Sequence, residues 1–285
     1  MAKHFLNTPL VYKSGTKLIK HLPVCISYGA AHMIASLSYR MHTPAVQNIK
    51  KNFTLVYPGA TEMELSEKTR RLFRNYAEYL VDYGRFSGLD PRTILEKIVR
   101  FEGEENLNHA LEMKKGLILL TAHLGNWELG GIYFSAYGLK VNVVTLPDDD
   151  REINSSRSRY RERYGVKTIT VGDSPLSSVS LVNALMNNEV VAMLIDRYGD
   201  RKDSVAVSFF HGTARFPLGP FMLSRITGAP VVVAFVIRER GEYIGFVEEP
   251  FIVENKAMEQ EALEKVVRIL ESYIVKYPEQ WYDFR

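Results

Sequence analysis

Leu117-Ile118-Leu119-Leu120-Thr121-Ala122-His123-Leu124-Gly125-Asn126-Trp127-Glu128-Leu129-Gly130-Gly131 is an apolar run that stops on a histidine and carries a glutamate five residues later. Its aliphatic half has the length and composition of a strand buried on both faces of a mostly parallel sheet. Gly125 permits a tight turn and Asn126 is a favoured helix N-cap, which places Glu128 in the first turn of a helix. In open α/β sheets ligands bind beyond the carboxyl ends of the strands. His123 sits at such an end, with Glu128 able to fold back toward it as a histidine and carboxylate pair.

The spacing alone carries little weight. Seven histidines and 33 acidic residues give about 0.8 chance pairings at a separation of five from composition alone. The remaining histidines, His4, His21, His32, His42, His109 and His211, are followed at that distance by Pro9, Ile26, Leu37, Gln47, Lys114 and Phe216, so His123 alone has the acid. A buried histidine bonded to backbone, with Glu128 complementing the helix dipole, fits the spacing equally well. The strand-end position is what favours chemistry.

Outward from this stretch the pattern alternates. Strands are predicted over Val141 to Leu146, Val166 to Val171 and Val190 to Asp196, separated by helices over Arg151 to Tyr164 and Pro175 to Asn187; this is α/β architecture. Further on come a strand near Val205 to Phe209, a helix from Leu218 to Thr227, strands over Val231 to Ile237 and Tyr243 to Val247, and a helix from Met258 to Lys276. Before the central stretch, Leu65, Leu72, Phe73, Tyr76, Tyr79, Leu80, Tyr83 and Phe86 recur at threes and fours, giving a long amphipathic helix over Thr61 to Phe86. Asp90-Pro91 opens another helix, and Glu104 to Lys115 reads as a third. The expected division is 1–60, an N-terminal helical segment, and 61–285, a catalytic domain around a largely parallel central sheet flanked by helices.

Leu22 to Met41 is rich in apolar residues, yet His32, Ser27, Ser36, Ser38 and Arg40 interrupt it, making it too polar for a membrane span of roughly 20 apolar residues. It also lacks a small-residue cleavage pattern. The expectation is an amphipathic helix. Lys13, Lys17 and Lys20 before it and Arg40, Lys50 and Lys51 after it suit docking on anionic headgroups; packing on the rest of the protein is compatible if one face does each. The single cysteine, Cys25, excludes an intrachain disulfide and fits a reducing compartment. A net charge of +3 is too slight to imply nucleic-acid binding but suits an anionic partner or membrane surface.

Three other places carry candidate chemistry. Arg157, Arg159, Arg161, Arg163 and Lys167 face a single acid, Glu162, in one short segment; they are either a solvated face or a set of guanidinium forks for phosphates. Asp196 ends an apolar strand and would stand on the same sheet edge as His123 if the two strands are parallel, or else cap the following turn. Arg215 precedes Pro217 and would lie near a helix N-terminus, where anions are favoured. Tyr277-Pro278-Glu279-Gln280-Trp281-Tyr282 suits a membrane interface or simple packing.

Thr121-Ala122-His123-Leu124-Gly125-Asn126-Trp127-Glu128-Leu129-Gly130-Gly131 resembles the signature of the late acyltransferases of lipid A biosynthesis, a branch of the lysophospholipid and glycerophosphate acyltransferase superfamily. The resemblance continues in order through Arg161-Glu162-Arg163-Tyr164-Gly165, Asp196-Arg197-Tyr198-Gly199, Phe209-Phe210-His211-Gly212 leading to Pro217-Leu218-Gly219-Pro220, and Tyr277-Pro278-Glu279-Gln280-Trp281. It implies a glycerophosphate acyltransferase-like fold with a membrane-docking N-terminal helix. It also implies an enzyme moving a fatty acyl group from acyl carrier protein, with acyl coenzyme A as the other donor, to a hydroxyl of a lipid A precursor at the cytoplasmic face of a bacterial inner membrane. His123 and Glu128 become the catalytic pair, and Gly125, Asn126, Arg161, Arg163, Asp196 and Arg215 substrate-binding residues, with Arg161 ahead of Arg163. No cofactor or metal is required beyond the thioester co-substrate. Arg197 departs from the family's usual Asp-Gln, which keeps a lysophospholipid or another glycolipid open as acceptor. A non-catalytic lipid-binding relative and a thioester hydrolase are the other readings.

Overall fold

The computed structural model describes residues 22–41, 43–146, 151–172, 175–196 and 204–284. Lys13, Lys17, Lys20 and Arg197 lie outside the described residues. The described residues fall into two compact units, one drawn from 22–90, 210–212 and 272–284, the other from 91–209 and 213–271.

In the first unit, α1 (Val24–Arg40), α2 (Pro44–Val56) and α3 (Glu62–Phe86) follow one another. α3 begins with a full capping box, Thr61 accepting from the Glu64 N–H while the Glu64 carboxylate takes the Thr61 N–H. The same helix buries Leu65, Leu72, Phe73, Tyr76, Tyr79 and Tyr83 as the periodicity requires. α1 is fastened to it by polar pairs: Tyr28 donates to Asp82 Oδ1 at 2.7 Å and His32 Nε2 meets Glu78 Oε1 at 2.5 Å. Its opposite face is unlike a normal solvated helix. Ile26, Ala30, Met33, Leu37 and Met41, spaced at threes and fours, are all exposed. Among the described residues no helix is long and apolar enough to cross a membrane.

The C-terminal aromatics are packing, not an interface. Trp281 and Tyr282 are buried, and Tyr76 meets the rings of Tyr282 and Phe284 at 5.1 and 4.9 Å. Asn48, Asn52 and Asn75 donate to the carbonyls of Phe284, Asp283 and Glu279, so the final residues complete the core of this unit.

The second unit is a seven-stranded mixed sheet in the order β1 (Ile98–Glu102), β9 (Glu242–Val247), β8 (Val231–Glu239), β2 (Leu117–Thr121), β5 (Val190–Leu194), β3 (Val141–Thr145), β4 (Lys167–Thr170). The five strands from β8 to β4 are parallel, β9 returns antiparallel to β8, and β1 runs with β9. The helices are α4 (Pro91–Leu95), α5 (Glu104–Glu112), α6 (Trp127–Ala136), α7 (Arg151–Glu162), α8 (Pro175–Met186), α9 (Gly219–Thr227) and α10 (Met258–Lys276), the last ending in the first unit. β6 (Ser204–Phe209) and β7 (Gly212–Pro217) form a separate hairpin sheet. β2 and β5 are buried on both faces, as a central parallel pair must be.

Candidate functional site

β2 and β5 pair in parallel with Thr121 opposite Leu194, and the Ile195 N–H continues the ladder to the Thr121 carbonyl at 3.1 Å. Two residues beyond that register, His123 and Asp196 stand side by side. Asp196 takes the His123 backbone N–H on Oδ2 at 3.0 Å and faces ring Nδ1 with Oδ1 at 2.8 Å. Its carboxyl is almost completely buried, while the imidazole keeps 18% of its surface exposed. Against an ionised carboxylate, Nδ1 is the protonated nitrogen and Nε2 carries the lone pair.

The turn after His123 is built as its residues demand. Gly125 has φ +64°, and a Cβ there would run into the Val236 carbonyl oxygen. That close approach lets Gly125 bridge to β8 and lets the Asn126 N–H donate to the Val236 carbonyl at 2.7 Å. Asn126 caps α6, its side-chain oxygen accepting from the Leu129 N–H at 3.0 Å. Trp127 follows with its ring 4.9 Å from that of His123, edge on. Gly125 and Asn126 therefore shape the corner on which the histidine sits.

Glu128 does not supply the carboxylate on Nδ1. It is buried, and Arg161 of α7 donates to both of its oxygens, from Nε at 3.0 Å and from Nη2 at 2.5 Å. Burial by itself would push this carboxyl up; the Arg161 charge and hydrogen bonds, with Arg157 and His123 behind them, outweigh it and hold Glu128 below the ordinary carboxylate range. Glu128 is thus close enough to His123 for their charges to interact. The buried guanidinium of Arg161 is thus engaged by the Glu128 carboxylate.

Arg163 lies just beyond α7 and is exposed, as is Arg159, while Arg157 is half-buried. Arg215 is not at a helix N-terminus. It lies in β7 and clasps Ser204 of β6, donating from Nε to the hydroxyl at 2.9 Å and from Nη2 to the carbonyl at 2.6 Å.

Beside the histidine lies an apolar cavity between α6 and the sheet. Thr121, Trp127, Glu128 and Arg161 line it at the polar side, and Gly130, Gly131 and Phe134 of α6 face β-strand valines and alanines across it. Trp127 both lines the cavity and touches His123. Sequence reasoning missed this tryptophan's place, although its position within the central motif was a sufficient signal.

The family described as bacterial lipid A biosynthesis acyltransferase matches residues 6–285. A phosphatidylinositol mannoside acyltransferase of Mycolicibacterium smegmatis is 25% identical over 225 residues, covering 78% of this chain and 72% of that protein. The lipid A biosynthesis palmitoleoyltransferase of Escherichia coli is 26% identical over 237 residues, 81% and 74% of the two chains. The chain belongs to the bacterial lipid A biosynthesis acyltransferase family, and it is an acyltransferase.

Proposed function

We propose that the protein transfers a fatty acyl group from a thioester donor to a hydroxyl of a glycolipid, with His123 as general base. The observation that carries this reading is the bond from His123 Nδ1 to Asp196, which makes Nε2 the basic nitrogen at the end of two central parallel strands. Nε2 takes the proton of the acceptor hydroxyl as that oxygen attacks the thioester carbonyl carbon. The tetrahedral intermediate collapses with cleavage of the C–S bond, and the imidazolium returns its proton to the leaving thiolate. Asp196 orients the ring and stabilises the imidazolium; Glu128, held in place by Arg161, adds negative charge nearby and acts as a positioning residue. No covalent enzyme intermediate is needed.

The relatives' names support a glycolipid as acceptor, a lipid A precursor or a phosphatidylinositol mannoside, over a lysophospholipid. The exposed Arg159 and Arg163 suit its phosphates. Acyl carrier protein is the donor we favour, acyl coenzyme A the other. The exposed apolar stripe of α1, with Arg40 exposed in its last turn and Lys51 exposed on α2, supports peripheral docking at the cytoplasmic face of the inner membrane.

The test is transfer of labelled acyl groups from acyl carrier protein and coenzyme A thioesters into a lipid panel containing both glycolipids and several lysophospholipids, with wild type beside His123→Ala. Label entering a glycolipid and lost in the folded variant is the expected result. Thioester consumed through His123 without any labelled lipid would make the protein a hydrolase.

A further inference from the structure

We propose that Trp127 is a positioning residue of the transfer reaction, its indole holding the plane of the His123 imidazole so that Nε2 faces the acceptor hydroxyl. This rests on the acyl-transfer reading above. Asp196 grips His123 at the backbone N–H and at ring Nδ1, and neither bond locks the tilt of the ring. The torsion that turns an imidazole about its Cβ–Cγ bond is broad and roughly two-fold, and a hydrogen bond at Nδ1 survives a tilt of about 30°. A packing contact is what narrows that range. Trp127 supplies one: its ring centroid stands 4.9 Å from that of the imidazole with 63° between the planes, inside the span of roughly 4.5–7 Å over which edge-to-face rings attract.

The indole braces the histidine because it is itself braced. Gly125 bridges to Val236, and the Asn126 N–H donates to the Val236 carbonyl at 2.7 Å. The Asn126 side chain then caps α6, accepting from the Leu129 N–H at 3.0 Å. These bonds fix the main chain on both sides of Trp127, the first residue of α6. Its half-buried ring also lines the space between α6 and the sheet, beside Thr121 and Phe134. The imidazole is thereby held between a carboxylate just past β5 and an aromatic ring in the first turn of α6. The carboxylate sets the tautomer, and the indole sets the plane. Displacing a reacting group by about 1 Å costs on the order of a hundredfold in rate, so a ring left to tilt transfers its proton poorly even with Asp196 in place.

The experiment measures kcat and KM for acyl transfer by wild type, Trp127→Phe and Trp127→Leu, each checked for folding by circular dichroism. Two readouts that need no transfer accompany it. Imidazole nitrogen chemical shifts, assigned to His123 by difference from His123→Ala, report its tautomer. The chain has two tryptophans, Trp127 and Trp281, so a pH titration of fluorescence in a Trp281→Phe background follows Trp127 alone, which an adjacent imidazolium quenches. The expected result is a single Nδ1-protonated tautomer and a quenching step abolished by His123→Ala. Trp127→Leu lowers kcat by about 30- to 100-fold with KM within about twofold and moves the nitrogen shifts toward the average of the two tautomers, while Trp127→Phe, which keeps a ring, stays within about threefold of wild type. A folded Trp127→Leu enzyme with wild-type kcat overturns the proposal, as does a loss confined to KM, which would make the indole a substrate contact. Averaged shifts in Trp127→Leu, in a protein that transfers to no lipid, uphold the hold on the imidazole and fail the transfer reading; transfer that depends on His123 and is indifferent to Trp127→Leu does the reverse.

Discussion

Asp196 holds His123 twice, through the backbone N–H at 3.0 Å and through ring Nδ1 at 2.8 Å. The double grip ties the ring's position to the β2–β5 ladder, because the same carboxylate fixes both the main chain and the imidazole. Glu128, five residues from the histidine in sequence, instead serves as the anchor of Arg161. Two carboxylates thus divide two tasks, one orienting the imidazole and the other fixing α7 against α6.

The Glu128–Arg161 pair is buried, and removing one partner leaves an uncompensated charge. Arg161→Met and Glu128→Leu should each destabilise by about 3–5 kcal/mol, and the double variant by much less than their sum. Urea unfolding of the four proteins measures the coupling. Additive losses would mean that the two side chains do not depend on one another.

The same pair sets a pH dependence. Glu128 has a folded pKa below its ordinary value of 4.5, so its stabilising contribution is complete above that value and is lost as the pH falls through the folded pKa. Wild type should therefore lose stability more steeply below about pH 4.5 than Glu128→Gln does. Unfolding midpoints collected down to about pH 3 show whether the two acid limbs differ.

Gly125→Ala should cost about 1–3 kcal/mol and depress transfer, since the turn requires φ +64° and the added methyl meets the Val236 carbonyl oxygen. Gly59, where an added methyl meets nothing within 4 Å, is the control, and Gly59→Ala should change stability by less than about 0.5 kcal/mol. Thermal unfolding and transfer assays on both variants decide the matter.

On α1, Met33 and Leu37 are 70% and 61% exposed on one apolar stripe. Met33→Asp and Leu37→Asp should each weaken binding to anionic phospholipid vesicles by about tenfold, leaving the helix itself folded. Vesicle sedimentation gives the partition coefficients; unchanged binding would remove this face from the docking surface.

The long elements were legible because their physics is local. The run from Leu117 to Thr121, the periodic aromatics of α3 and the Gly125-Asn126 turn each carry their own pattern. β1 escaped because Ile98–Glu102 is short, is mostly exposed and follows a single helical turn; Gly245 of β9 makes room for its Phe101, since a Cβ there would meet that ring. α2 was passed over although Val46, Ile49, Phe53 and Val56 recur at helical spacing, its Asn48, Asn52 and Thr54 favouring other conformations. β7 escaped, with Arg215 placed instead near the helix that follows, because only Phe216 and Pro217 at its end are buried. In the site, Asp196 was legible as a strand-end acid on the same sheet edge as His123, but its bond to the imidazole was not. Strand register decides that pairing, whereas sequence distance pointed to Glu128, and the partner of Arg161 is 33 residues away.

The most direct measurement is the acyl-transfer rate of Asp196→Asn beside that of Glu128→Gln, with folding checked by circular dichroism. If Asp196 fixes the tautomer and stabilises the imidazolium, Asp196→Asn lowers kcat by about 10²–10⁴-fold in a folded protein, while Glu128→Gln loses less activity and more stability. A folded Asp196→Asn enzyme turning over at the wild-type rate would contradict the assignment of His123 and Asp196 as the working pair.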